Sequence, residues 1–155
     1  MKTNRESLLH TFSQSLAGTS SLLKTRRYIL QKRGDSQAGV LLVCGIFKMP
    51  EERLIGHILF TKFDWSVPKC EMGYLIDESE RGNGYATQSA QLFGQWGFDT
   101  LRMEKITMRI WPENHPSIAL AKNLGAHEAG LAKRDFRTTD GRVLDCALFE
   151  LYNKN

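Results

Sequence analysis

The chain has 155 residues, of which 41% are hydrophobic and 25% charged, and a formal net charge of +4; this describes one globular domain, long enough to bury a core without disulfide or metal staples. No apolar run follows the basic residues of the opening Met-Lys-Thr-Asn-Arg-Glu-Ser, and the most apolar stretch, 39–47, is too short to span a bilayer, so neither a signal peptide nor a membrane span is expected and the expected location is cytoplasmic. The cysteines, Cys44, Cys70 and Cys146, include no Cys-x-x-Cys pair, and His10, His57, His115 and His127 lack metal-ligand spacing, which argues against a disulfide framework and against a metal site. Cys44 and Cys146 lie in apolar surroundings and read as core, as does Cys70, which borders the motif described below.

In chain order, residues 5–33 carry apolar spacing suited to one or two helices. Leu8, Leu9, Phe12 and Leu16 share one face, and Leu22, Leu23, Tyr28 and Leu30 continue less regularly, with Gly18-Thr19-Ser20-Ser21 breaking the two and supplying a hydroxyl N-cap. Lys24, Arg26, Arg27, Lys32 and Arg33 form a basic cluster that reads first as a solvated helix face and second as a contact for phosphate, RNA or the ribosome. Gly34-Asp35-Ser36 is a turn signal. Strands are expected over 39–48, 53–64 and 69–76, an antiparallel meander in which Met49-Pro50-Glu51-Glu52 makes the first turn. The period then changes. Over 84–102, Ala86, Ala90, Phe93, Trp96 and Gly97 recur at helical spacing, whereas 104–111 alternates Ile106, Met108 and Ile110 against Thr107 and Arg109 as a strand does. A short helix over 117–124 is closed by Gly125, and 129–138 with 142–152 reads as a hairpin around Thr139-Asp140-Gly141. Trp96, Trp111 and the phenylalanines read as core. His57, within a strand, reads as structural. This order gives an α+β, or mixed α/β, sheet with a locally parallel pair at the central strand–helix–strand unit.

The informative segment is Met72-Gly73-Tyr74-Leu75-Ile76-Asp77-Glu78-Ser79-Glu80-Arg81-Gly82-Asn83-Gly84-Tyr85-Ala86-Thr87. A strand runs into a loop that opens a long helix. Gly82 and Gly84 permit a tight path with inward amides, and successive amides at a helix start form a nest for an anion such as a diphosphate. No Gly-x-x-x-x-Gly-Lys-Ser/Thr and no Gly-x-Gly-x-x-Gly after a first strand occur, so the Walker and dinucleotide loops are excluded.

Glu71 to Asp77 followed by Arg81-Gly82-Asn83-Gly84-Tyr85-Ala86 resembles the acetyl-CoA signature of the GNAT acetyltransferases. Trp111-Pro112-Glu113-Asn114-His115-Pro116-Ser117 and Leu120-Ala121-Lys122-Asn123-Leu124-Gly125 resemble the second half of that family's cofactor site. The Asn-x-x-Ser spacing and the Asp140-Gly141-Arg142 hairpin are similar to the RimJ/RimL-like branch, which includes ribosomal-protein alanine N-acetyltransferases. The resemblance covers 38–152 of a single domain, 1–155, with 1–37 an atypical helical part. It implies a mostly antiparallel central sheet, flanked by helices, whose strands 70–76 and 104–111 splay apart for the pantetheine arm. It further implies that the backbone of Tyr74, Leu75 and Ile76 pairs with pantetheine, that Arg81, Gly82, Asn83, Gly84, Tyr85, Ala86 and Thr87 hold the diphosphate, and that Asn114, Ser117 and Lys122 complete the coenzyme A site. Ala126 departs from the aromatic residue common after Leu-Gly in the family.

Transfer of acetyl to an amine requires a neutral amine, a donor for the developing oxyanion and a proton for the leaving thiolate. The resemblance places Ser117 beside the coenzyme sulfur, and its residue-level alternative is a helix N-cap. Glu71, on the strand bordering the thioester, is the leading candidate base; Asp135 is a second, with a hairpin salt bridge as its alternative. His115 adjoins the cofactor motif. The expected activity is acetyl transfer from acetyl-CoA to a primary amine, either a protein N-terminal α-amino group or a small polyamine-like or drug-like amine, with a non-catalytic acyl-CoA-binding module as the alternative. Exposed sheet edges suit a homodimer.

Overall fold

A computed structural model describes residues 21–138 and 140–154, and the segment bearing Leu8, Leu9, Phe12 and Leu16 lies outside the described residues. Helix α1 (Leu22–Gln37) starts at Ser21, whose Oγ accepts from the Lys24 amide at 3.3 Å. It passes straight through the expected Gly34-Asp35-Ser36 turn. Lys32 and Asp35 pair at 3.1 Å within that stretch, and Gly39 (φ 70°) supplies the left-handed stop, with Val40 N–H donating to Asp35 O at 3.0 Å. No residue of α1 is buried, so the basic cluster lies on the surface.

Strands β1 (Leu41–Lys48), β2 (Arg53–Asp64) and β3 (Lys69–Ile76) form the expected meander; β4 (Lys105–Ile110), β5 (His127–Arg137) and β6 (Val143–Tyr152) follow, with helix α2 (Tyr85–Asp99) before β4 and α3 (His115–Asn123) after it. The sheet order is β1-β2-β3-β4-β6-β5, antiparallel throughout except for β3–β4, where the crossover through α2 makes the pair parallel. A bulge between Ile46 and Phe47 turns Ile55 inward, where it is 1% exposed.

The core lies between the sheet and α2. Phe60, Met72, Ile106, Met108 and Phe149 form its centre, with Phe93 of α2 stacked on Phe60 at 4.1 Å between ring centroids. Gly97 lets the helix settle on the sheet, since a Cβ there would lie 2.9 Å from the Phe60 ring. Cys70 and Cys146 are buried, but Cys44 is exposed. It stands on edge strand β1, and α2 packs over β2 and β3 rather than the edge. Trp96 is likewise at the rim of the core, 36% exposed and stacked on Phe93 at 5.7 Å. Among the described residues, no helix is long and apolar enough to cross a membrane.

Candidate active site

The β3–β4 ladder consists of three pairs, Lys69↔Lys105, Cys70↔Ile106 and Glu71↔Thr107. Both strands run on, β3 to Ile76 and β4 to Ile110, without pairing to each other. Each keeps its outer partner, β2 and β6 respectively, so the sheet opens between them while its two halves stay intact. Tyr74, Leu75 and Ile76 lie on the open edge.

Past Ile76 the chain is pinned by its own polar groups. Asp77 Oδ1 accepts from the Ser79 amide at 3.0 Å and the Ser79 hydroxyl at 2.7 Å. Asn83 Nδ2 donates to Glu80 O at 3.2 Å and Arg81 O at 3.4 Å, and Arg81 Nε donates to Ile76 O at 3.4 Å. Gly82 (φ 79°) and Gly84 (φ 78°) both take left-handed conformations, and a Cβ at either would meet nothing within 4 Å. Gly84 is also the N-cap of α2 and offers no side-chain cap. The leading amides of the helix, those of Tyr85, Ala86 and Thr87, therefore face an open cradle without intrahelical acceptors, next to the positive end of the helix dipole.

Glu80, 8% exposed, braces this loop from below: Arg53 donates to Oε1, and Lys48 Nζ lies 3.6 Å from Oε2. The Arg53 hydrogen bond, outweighing the opposing effect of burial, holds the Glu80 carboxyl below its ordinary value. A carboxylate depressed in the folded state contributes stability above its unfolded pKa, near 4.3, and loses that contribution as pH falls through the lower folded value. Glu80→Gln is expected to flatten the fall in Tm below pH 4.3 relative to the parent chain, measured by thermal unfolding across a pH series; an unchanged slope would remove Glu80 from the acid response.

The α3 start differs from its expected position at 117. Asn114 is the N-cap, its side-chain oxygen accepting from the Ser117 amide at 3.3 Å, with Pro116 in the first turn. Ser117 thus sits one turn in and has no capping duty. Its side chain neighbours the hydroxyl of Tyr74, which is buried and has no hydrogen bond of good geometry. Burial pushes the Tyr74 phenol above its usual pKa, and Ser117 offsets part of that rise. Lys122 lies in the last turn of α3, 3.9 Å from Glu128, and His115 is exposed at the first turn.

On the other face of the sheet, Glu71 Oε2 accepts from Lys62 Nζ at 2.9 Å and forms an ion pair with Arg109 Nε at 2.7 Å. Arg109 Nη1 also donates to Asp135. The Asp135 bridge is therefore not within the β5–β6 hairpin: it reaches over β6 to β4. Sequence reasoning found both carboxylates but missed Arg109, which joins them, and Lys62, which pairs with Glu71. Arg109 was visible as a polar position in the alternation of β4; its partners depend on strand order. His57 is partly buried, and burial lowers its pKa, as suits a structural imidazole.

Residues 3–127 match the family described as acetyltransferase (GNAT) domain. The chain belongs to the GNAT acetyltransferase family. Among relatives of this GNAT chain, the uncharacterized N-acetyltransferase p20 of Bacillus licheniformis is 31% identical over 103 residues, which cover 66% of the chain and 57% of p20. The uncharacterized N-acetyltransferase YnaD of Bacillus subtilis is 32% identical over 84 residues, 54% of the chain and 49% of YnaD. The chain thus spans about half the length of these relatives. The GNAT fold is shared with the ribosomal-protein-S5-alanine acetyltransferase of Vibrio fischeri (TM-score 0.85, 18% identity, 99% of this chain and 84% of that one). It is shared also with a chimera of the spermidine N-acetyltransferase SpeG from Vibrio cholerae (TM-score 0.74, 17% identity, 82% and 75%).

Proposed function

We propose that this chain transfers acetyl from acetyl-CoA to a primary amine and that its acceptor is a protein N-terminal α-amino group. The observation that carries the reading is the sheet opening beyond Glu71 and Thr107, which leads to the uncapped start of α2. Three features fit coenzyme A there: a glycine turn whose left-handed Gly82 and Gly84 leave open space at the start of α2, an unpaired strand edge at Tyr74–Ile76, and the buried Tyr74 hydroxyl beside Ser117. Acetyl-CoA, when bound, supplies an acetyl group already activated as a thioester.

The chain's own residues then divide the work. The amides of Gly84, Tyr85, Ala86 and Thr87 present the dipole-favoured site for a diphosphate. Edge groups of Tyr74, Leu75 and Ile76 offer backbone hydrogen bonds to an extended amide-bearing arm. Asn114 caps α3 with its oxygen and keeps its Nδ2 donors available. Ser117 Oγ, free of capping, holds a proton for the leaving sulfur, with Tyr74 behind it. Glu71 uses Oε2 for two cations and leaves Oε1 to receive the amine's proton. Lys122, at the opposite end of α3 from Ser117, is the least engaged of the expected coenzyme residues; five positions along a helix separate the two by about 7.5 Å. An α-amino group, with a pKa near 8, is about a tenth neutral at pH 7, whereas a lysine near 10.4 is far less so. The α-amine therefore demands least of a carboxylate with one oxygen already committed.

Thermal unfolding with acetyl-CoA, free CoA and ATP tests the reading. At about 100 times its dissociation constant, a specific ligand adds roughly 2.7 kcal/mol, or roughly 5 to 10 °C in Tm for a chain of this size. The expected result is such a shift with acetyl-CoA and none with ATP, followed by release of free thiol only when an amine-bearing peptide is added. No shift at saturating acetyl-CoA would overturn the proposal.

A further inference from the structure

Where the backbones of β3 and β4 part, side chains rejoin them. Arg109 stands two residues beyond Thr107, the last paired residue of β4, and on the same face. Its guanidinium holds Glu71 of β3 through Nε and Asp135 of β5 through Nη1, tying three strands together across the opening. The side chains of Glu71 and Asp135 are only 20% and 22% exposed and that of Arg109 is 35% exposed, whereas that of Lys62, the fourth member, is 57% exposed. Both carboxylates thus share the partly buried Arg109 cation, and Glu71 alone also pairs with the more exposed Lys62. Among the described residues, Glu71 Oε1 and Asp135 Oδ1 accept no hydrogen bond and point to what a donor would meet: two acceptor oxygens divided by a guanidinium.

We propose that Arg109 is the specificity-determining residue of the acceptor site, holding Glu71 and Asp135 so that the face takes a singly charged amine and rejects a polycation. This rests on the reading of the chain as an amine acetyltransferase. A single ammonium docks on a free carboxylate oxygen with the other charges already balanced. A second positive charge on the same acceptor, a few ångströms away, meets the Arg109 guanidinium instead of a second free carboxylate, and like charges brought together discriminate against the wrong partner. Without Arg109, the same two carboxylates form a doubly negative recess suited to a polyamine, with exposed Lys62 alone opposing it. Arg109 is here a positioning and filtering residue; it transfers no proton.

The test compares spermidine with a short peptide bearing a free α-amine, in the full chain and in Arg109→Gln, Arg109→Lys and Asp135→Asn. Each is followed by kcat/KM and by calorimetric binding of spermidine to protein without acetyl-CoA. Arg109→Gln is expected to raise the spermidine-to-peptide ratio of kcat/KM about tenfold, the scale of one unit charge in a half-exposed site, through KM for spermidine rather than kcat. The gain shrinks in high salt. Arg109→Lys keeps the charge and stays within about threefold of the parent ratio, and Asp135→Asn moves the ratio the other way. Equal losses on both acceptors in Arg109→Gln, with the acetyl-CoA thermal shift retained, would make Arg109 a structural clasp only and overturn the proposal. If Arg109→Gln fails to fold, Asp135→Asn decides by sign: a rise in the spermidine ratio overturns it. If the parent chain binds acetyl-CoA yet acetylates neither amine, the enzymatic reading fails separately. Calorimetry then still decides the charge filter: tighter spermidine binding by Arg109→Gln supports it, and unchanged binding overturns it.

Discussion

Gly56→Ala is expected to destabilise the fold by about 3 kcal/mol or more, at or above the upper end for overpacking. A Cβ at Gly56 would lie 2.2 Å from the Leu75 carbonyl oxygen and 3.2 Å from Ile76 Cα. The obstacle is backbone of the neighbouring strand, which no rotamer change relieves, so β2 and β3 must separate at the Gly56↔Ile76 pair. Leu75 and Ile76 also edge the sheet opening, so whatever protein folds should respond less to acetyl-CoA. Urea unfolding checks this: the midpoint falls with the slope unchanged. Gly45→Ala serves as the control. Its Cβ would come within 2.7 Å of a Phe47 ring carbon, but Phe47 is 56% exposed and free to swing away, so about 1 kcal/mol or less is expected. Equal effects from the two substitutions would show that the Gly56 contact does not govern the strand spacing.

Phe60→Ala is expected to cost about 3 to 5 kcal/mol, the range for a buried aromatic truncated in a core that cannot fully collapse. Phe60 is 0% exposed, stacked on Phe93, edge-on to Phe63 at 6.5 Å and pressed against Gly97. It is the seat on which α2 rests, so the loss also loosens the helix whose first turn faces the cradle. Chemical denaturation gives the stability change, and Phe47→Ala, on the exposed edge, should stay within about 0.5 kcal/mol. A Phe60→Ala loss below 1 kcal/mol would mean that α2 is held chiefly elsewhere.

The strands and helices were legible because each carries its own period. Ile106, Met108 and Ile110 alternate, and Ala86, Ala90, Phe93 and Gly97 step by threes and fours. What failed depended on context that no local window holds. Gly34 reads as a breaker, yet a glycine within a helix costs only about 1 kcal/mol against alanine, and the true stop lies at Gly39, where the backbone turns left-handed. Cys44 sits in an apolar run, but only the strand order shows that its strand is an edge. Ser117 has the composition of a cap, and Asn114, three residues earlier, takes that place. The loop at Gly82 and Gly84 was found because its chemistry is local. The Glu71–Arg109–Asp135 row was half found because its members come from three strands and meet only when the sheet is assembled.

The three-rung joint between β3 and β4 also makes the sheet a hinge. Mechanically the molecule is two antiparallel plates, β1–β2–β3 and β4–β6–β5, each stiffened by long ladders with local bulges and coupled along a seam of three backbone pairs, one guanidinium and the helix above. Compliance concentrates at such a seam, because bending there breaks few bonds while bending either plate breaks many. A ligand lying in the opening supplies the missing rungs to both plates at once. Its mechanical effect is then larger than its contact area suggests: it converts two coupled plates into one, and slows amide exchange along β3 and β4 together.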